Sequence, residues 1–278
     1  MANLVKDFNL VTWLPVHKAI RALVACGLAC SLAGISLAQS PKPGTKPATG
    51  NSAGIATGSA SRPADNVDNG VAAFRRGHYA IALRAWRDDA QKGNPWAQNN
   101  IGYLYEHGLG VGQSYPEAMS WYKKAAEQNL AQSQFNIGTL YNYGYGVEKN
   151  PREAVSWFRQ AAKQNLPDAQ YMLGLAYYEG QGVPPEANFA LDWFLKAALQ
   201  GYPSAQMMAA MVYQSGDLGE AESFKAYVWA DVANRKGSAD ASLVRDYASY
   251  KLSRRNIETA KAAADRCLNS QYKDCPPR

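Results

Sequence analysis

The sequence predicts an all-α fold: an α-solenoid (superhelix) of about five 36-residue antiparallel helix pairs, closed by a C-terminal capping helix. Three observations predict it. Trp121, Trp157, Trp193 and Trp229 follow one another at intervals of 36 residues, and a period of roughly 20 to 50 residues is the mark of stacked structural repeats. The same interval relates Ala82, Ala118, Ala154, Ala190 and Ala226, then Gly102, Gly138 and Gly174, then Tyr105, Tyr141, Tyr177 and Tyr213. Finally, Gly93, Asn129, Asn165, Gly201 and Gly237 recur at the same spacing, and Gly and Asn are the residues that best tolerate the left-handed conformation that ends a helix.

Residues 1–38 read as an export signal. Lys18 and Arg21 precede the apolar run 22–35, which ends in Ser36-Leu37-Ala38, the three-part pattern of a secretory leader. The run of 14 residues is shorter than the roughly 20 needed for a permanent transmembrane helix. Cleavage after Ala38 is the first reading, giving a periplasmic or secreted protein with no stable membrane span. An uncleaved N-terminal membrane anchor is the alternative. A lipoprotein processed at Cys26 ranks below both, because Cys26 follows Arg21 by only five residues.

Residues 39–66 are rich in Pro, Gly, Ser, Ala and Thr, with Ile55 as their one large apolar residue. Such a segment cannot bury enough surface to offset its chain entropy and reads as a disordered linker. The repeat domain is then 67–278, with units near 79–114, 115–150, 151–186, 187–222 and 223–256 and a capping helix over 254–268. The formal charge of +6 is unevenly placed: residues 1–66 hold six basic and two acidic groups, leaving +2 for the remainder. A nearly neutral body lacks the clustered Lys and Arg of a nucleic-acid binder.

Each unit reads as two helices. In the first, Ala118, Trp121 and Ala125 fall at i, i+3 and i+7, one helical face. Ser114 with Glu117, and Asn150 with Glu153, have the spacing of a capping box. Pro95, Pro167 and Pro203 suit the first turn of the second helix, whose Ile137, Leu140 and Tyr141 share a buried side. Gly102, Gly138 and Gly174 lie inside that helix, where glycine costs about 1 kcal/mol against alanine. Their recurrence predicts close approach of a neighbouring helix. The G-x-G segments after each second helix follow no strand, so they read as tight returns and not as nucleotide loops.

The pattern A-x-x-W-[YF]-x-x-A-A at 118–126, 154–162 and 190–198, and the variants of A-Q-x-x-[IL]-G-x-x-Y-x-x-G-x-G-V from 97, 133 and 169, resemble the Sel-1-like repeat (SLR) family, relatives of the tetratricopeptide repeats. The resemblance runs from Tyr79 to about Glu258 and weakens at both ends. It implies antiparallel helix pairs whose concave face holds protein or peptide partners. A cysteine-rich branch of bacterial members is credited with β-lactamase activity. That branch carries a Cys pair in each repeat, and residues 67–266 here hold no cysteine.

Catalytic, metal-ligating and cofactor-binding residues are not assigned. His78 and His107 are isolated residues at turns, and no Cys/His/carboxylate cluster with metal spacing is present. The internal copies act as a control for binding residues. Trp121, Trp157, Trp193 and Trp229, with Gly102, Gly138 and Gly174, recur in several copies and read as scaffold core. Trp96 stands opposite Gln132, Asp168 and Ser204, and Tyr143 and Tyr145 stand opposite His107/Glu179 and Leu109/Gln181. These three are the candidate partner anchors, Tyr and Trp being favoured at interfaces, although local packing explains each equally well. A protein or peptide partner is the leading reading. A peptidoglycan- or glycan-binding envelope protein is the second, and a β-lactamase-like or other cell-wall enzyme the third. Cys267 and Cys275, eight positions apart, are expected to form a disulfide in an oxidising compartment.

Overall fold

The computed structural model describes residues 65–276. The leader over 1–38 and nearly all of the linker over 39–66 lie outside these residues. The described residues are helical and fold as an all-α solenoid in which consecutive helices pack on one another. They are α1 (Asp65–Arg75), α2 (Tyr79–Gln91), α3 (Pro95–His107), α4 (Tyr115–Ala126), α5 (Ala131–Tyr143), α6 (Pro151–Lys163), α7 (Pro167–Glu179), α8 (Ala187–Ala198), α9 (Pro203–Ser215), α10 (Ser223–Arg235), α11 (Ala241–Tyr250) and α12 (Arg254–Asn269). They divide into two compact units, one reaching Ala197 and one starting at Ala198.

In the first unit the helix ends follow the local chemistry of the sequence. Ser114 Oγ accepts from the Glu117 N–H at 3.3 Å, and Asn150 Oδ1 accepts from the Glu153 N–H at 3.1 Å. Only this half of the expected capping box forms. The N–H groups of Ser114 and Asn150 already donate to the carbonyls of Tyr105 and Tyr141, each at 2.9 Å. Glu153 instead accepts from the Trp157 indole N–H at 3.1 Å. Asn129 and Asn165 end the first helices with φ of 62° and 65°. A buried glutamine then ties the second helix to that end: Gln98 Nε2 donates to the Ala90 carbonyl at 3.1 Å, and Gln170 Nε2 to Ala162 at 3.3 Å. These side chains satisfy carbonyls that a helix C-terminus leaves open.

The core differs from the expectation at one recurring position. Trp121, Trp157 and Trp193 are half-buried, and the residue after each, Tyr122, Phe158 and Phe194, is the one fully enclosed. The observed buried face is therefore i, i+4, i+7, through Ala118, Tyr122 and Ala125. Each tryptophan packs on the cluster of the preceding repeat. Trp121 meets the cluster around Trp86, Ile101 and Leu104; Trp157 meets that around Tyr122 and Ile137; Trp193 meets that around Phe158 and Leu173. The outer faces of two of them carry ammonium groups, with Lys124 Nζ 4.2 Å from the Trp121 centroid and Lys196 Nζ 3.9 Å from that of Trp193. A shared 36-residue interval does not distinguish a contact within a repeat from one between repeats, so sequence placed these rings in the core.

The second-helix glycines lie where a neighbour approaches. A Cβ on Gly102 would stand 2.7 Å from the Tyr122 ring, and one on Gly138 would stand 2.7 Å from the Phe158 ring. Helix α1 has no counterpart in the sequence reading. It brings Gly70 against the Trp86 indole, so it covers the first repeat as a second helix covers the next one. Gly70 is 32 residues before Gly102, which takes it out of the 36-residue register.

In the second unit, Trp229 is enclosed, unlike the other members of its series. Buried Asp231 on α10 pairs with Arg235 at 2.7 Å and with Arg245 of α11 at 3.6 Å, and Arg235 also reaches Asp265 of α12. Ala260, Ala263, Ala264 and Cys267 form the buried side of α12. Cys267 is joined to Cys275, which turns the tail back so that the Tyr272 ring lies against Gly201. Breaking this bond with Cys275→Ser is expected to cost about 2–3 kcal/mol from the freed unfolded-state loop. Thermal melting of the variant tests the cost, and intact mass without reductant tests the bond. Two alkylatable thiols in the purified protein would refute it.

Candidate binding surface

The loop that leaves α5 builds an aromatic run. Tyr143 is the last residue of α5 and is 55% exposed. Gly144, in the left-handed conformation with φ 76°, ends the helix. Gly146, φ 69°, lies so close to Tyr115 that a side chain would collide with the Tyr115 Cβ. This approach sets Tyr145 on Tyr115, with ring centroids 5.4 Å apart and planes 17° from parallel. Tyr145 also stacks with Tyr143, at 5.5 Å and 23°. Tyrosines presented this way offer apolar faces and hydroxyl edges at little cost in side-chain entropy.

Two carboxylates act electrostatically on the run, Glu106 on Tyr115 and Glu179 on Tyr143. Glu106, half-buried near the end of α3, accepts a 2.6 Å hydrogen bond from the Tyr122 hydroxyl. Gln113 Nε2 connects this corner to the run, donating to the Glu106 carbonyl at 2.8 Å and to the Tyr115 hydroxyl at 3.2 Å. Burial pushes the Glu106 carboxyl above its ordinary range, against the opposing effects of His107 and the Tyr122 bond. Glu179, the last residue of α7, is raised by burial as well, although Gln181 donates to it at 2.7 Å. The Tyr115 hydroxyl is raised by burial, then by Tyr145 and the charge of Glu106; that of Tyr143 is raised by burial, then by Tyr145 and the charge of Glu179. Burial and the Glu106 charge push Tyr103 up to about 12, and Tyr171, influenced by burial and Glu179, reaches about 12 also. The electrostatic order is thus Glu106 by Tyr115, and Glu179 by Tyr143.

Side-chain hydrogen bonds join α3 and α5. Asn99 Oδ1 accepts from Ser133 Oγ at 2.8 Å and from Asn136 Nδ2 at 3.0 Å, with all three residues buried. Asn99 Nδ2 in turn donates to Asn100 Oδ1 at 3.2 Å. A satisfied polar network fixes relative position more sharply than apolar contact does.

The structure brings Tyr143 and Tyr145 together and leaves Trp96 apart from them. Trp96 sits in the first turn of α3, capped by Asn94, and packs on the cluster around Trp86. Tyr143 closes the opposite end of a second helix, about 16 Å along the axis from the position equivalent to Trp96. His107 is exposed, and its ring stacks on Tyr103 at 4.0 Å. Tyr115 and Glu106 were missed by sequence reasoning. The comparison among internal copies could have found both: Tyr115 stands opposite Pro151 and Ala187, and Glu106 opposite Asn142, Tyr178 and Gln214. Among the described residues, no group of three His, Cys, Asp or Glu could hold a metal ion, and no helix is long and apolar enough to cross a membrane.

Helix pairs in a 36-residue period, with one copy carrying stacked tyrosines that the scaffold does not require, define a helical-repeat protein with a candidate recognition surface. The Sel1 repeat family model matches residues 97–130, 131–166 and 167–202. A Sel1 repeat protein from Oxalobacter formigenes is 36% identical, with a TM-score of 0.61 over 65% of this chain and 74% of that one. A protective antigen of uropathogenic Escherichia coli strains with an SLR fold is 30% identical, with a TM-score of 0.64 over 73% of this chain and 47% of that one. The chain belongs to the Sel1 repeat family. It is also 38% identical over 68 residues, 23% of its length, to HRD3 of Candida glabrata, a component of an ERAD-associated E3 ubiquitin-protein ligase. The chain spans only 8% of that relative.

Proposed function

We propose that this chain is an exported interaction scaffold that captures protein or peptide partners on the concave face of its repeats and performs no catalysis of its own. Sel1 repeat proteins generally mediate protein–protein interaction, and the fold offers repeated helix ends and loops on which such contacts are built. The observation that carries the reading is the stacked set of Tyr115, Tyr145 and exposed Tyr143, large aromatic anchors in a single copy of the repeat. Export rests on the leader pattern of residues 1–38.

Crosslinking in the envelope of the source cell, followed by identification of the attached proteins, tests both parts. The Tyr143→Ala/Tyr145→Ala variant is expected to lose about tenfold or more in partner capture while keeping its helical signal and melting temperature. Trp96→Ala tests the separate candidate at the other helix end. Undiminished capture by the tyrosine variant would remove the run from the site. Tyrosine-dependent co-sedimentation with purified cell wall, without a crosslinked protein, would put a glycan in the partner's place. A mature N-terminus at Met1 or Ala2, read by mass spectrometry, would overturn export.

A further inference from the structure

We infer that the tyrosine run and the carboxylates of Glu106 and Glu179 form a subsite for an arginine- or lysine-bearing segment of the partner polypeptide. The inference rests on the protein-binding reading and adds the partner's charge. Neither Glu106 nor Glu179 is in an ion pair among the described residues; their side chains meet the neutral donors Tyr122 and Gln181. Among the cations of neighbouring elements, Lys124 lies on Trp121, Lys196 on Trp193, and Arg159 donates to the Tyr177 hydroxyl at 3.2 Å; Lys149 lies against Gly144 in the loop of the run itself, and His107 acts on Glu106.

The tyrosine faces and the two carboxylates favour a cationic ligand, and the cations beside them, Lys149 and His107, are the groups it must displace or avoid. A tyrosine ring presents a negative face to a cation, and a carboxylate partly withdrawn from water is stabilised most by a cationic hydrogen-bond donor. A guanidinium or ammonium resting on a tyrosine face can be held by a carboxylate beside it, and the run provides a carboxylate near Tyr115 and another near Tyr143. A phosphorylated or acidic segment would meet the same charges as repulsion. The folded body carries only +2 overall, so selection arises from this local arrangement and not from bulk charge.

The raised carboxyls give the test a second readout. A carboxyl with a raised folded-state pKa stabilises the fold fully below its unfolded value, and this contribution is lost as pH rises through the folded value. Replacing the carboxylates by neutral isosteres should consequently raise the melting temperature at neutral pH and weaken binding together, a pairing that a purely structural role would not give. The probe is a fluorescein-labelled Arg-Gly-Ser repeat peptide, with a Glu-Gly-Ser repeat as control, titrated with the full chain and followed by anisotropy.

The arginine peptide is expected to bind and the glutamate peptide not to bind. Glu106→Gln/Glu179→Gln and, separately, Tyr143→Ala should each weaken arginine-peptide binding about tenfold. Equal binding of the two peptides would overturn the inference. So would an arginine-peptide affinity that the double glutamine variant leaves unchanged, or a lowered melting temperature in that variant, which would assign the carboxylates to the scaffold. Tyr143-dependent crosslinking of envelope proteins without discrimination between the peptides would remove the cationic partner and leave the protein-binding reading standing. Absence of both signals would remove the two readings together.

Discussion

Gly174→Ala is expected to destabilise the protein by roughly 1–3 kcal/mol, and Gly174→Leu by at least as much. A Cβ at this position would stand 2.6 Å from two ring carbons of Phe194, and Phe194 is fully enclosed, so the ring has no open space into which to retreat. Phe194→Ala alone should cost about 3–5 kcal/mol through the cavity it leaves. The double variant Gly174→Ala/Phe194→Ala should cost less than the two single changes together, because the new methyl occupies part of the vacated space. The next repeat contains this exchange already: Ala210 and Ala230 occupy the positions 36 residues beyond Gly174 and Phe194, and both are fully buried. Urea and thermal denaturation of the three variants test the coupling. Additive losses, or an unchanged melting temperature for Gly174→Leu, would refute the glycine–ring account.

Asn99→Leu is expected to cost about 3 kcal/mol, since it removes the acceptor shared by Ser133 Oγ and Asn136 Nδ2 and the donor to Asn100 Oδ1, and each buried hydrogen bond broken on one side costs about 1–3 kcal/mol. Adding Ser133→Ala and Asn136→Leu should return part of that loss, because it removes both donors that lost their acceptor, while the bond from Asn99 to Asn100 stays broken. The later copies carry aromatic residues at the Asn99 position, Phe135 and then Tyr171. Chemical denaturation of the single and triple variants is the measurement, and a single variant as stable as the parent would refute the network's role. If the network also holds the tyrosine run, the triple variant should lose partner capture despite its regained stability.

The candidate surface was legible only in part. Tyr143 and Tyr145 stood out because the other copies carry different residues at their positions. Trp96 stood out by the same test but lies at the other end of a second helix. Tyr115 meets the run because the return at Gly146 folds one loop against the start of α4, and Glu106 is joined to that corner through Gln113. No local spacing encodes that meeting, as it depends on how one repeat settles on another.

The sequence by itself determined the helix pairs, their 36-residue period, the ends at Asn129 and Asn165 and the need for glycine at 102, 138 and 174, because caps and periodicity depend on residues a few positions apart. Only the tertiary structure decided which aromatic of each pair is enclosed, Tyr122 over Trp121, Phe158 over Trp157 and Phe194 over Trp193, and that α1 closes over Trp86. Both aromatics of each pair recur every 36 residues. The choice between them follows from the rotation of each first helix against the preceding repeat, where enclosing one ring leaves its neighbour at the seam.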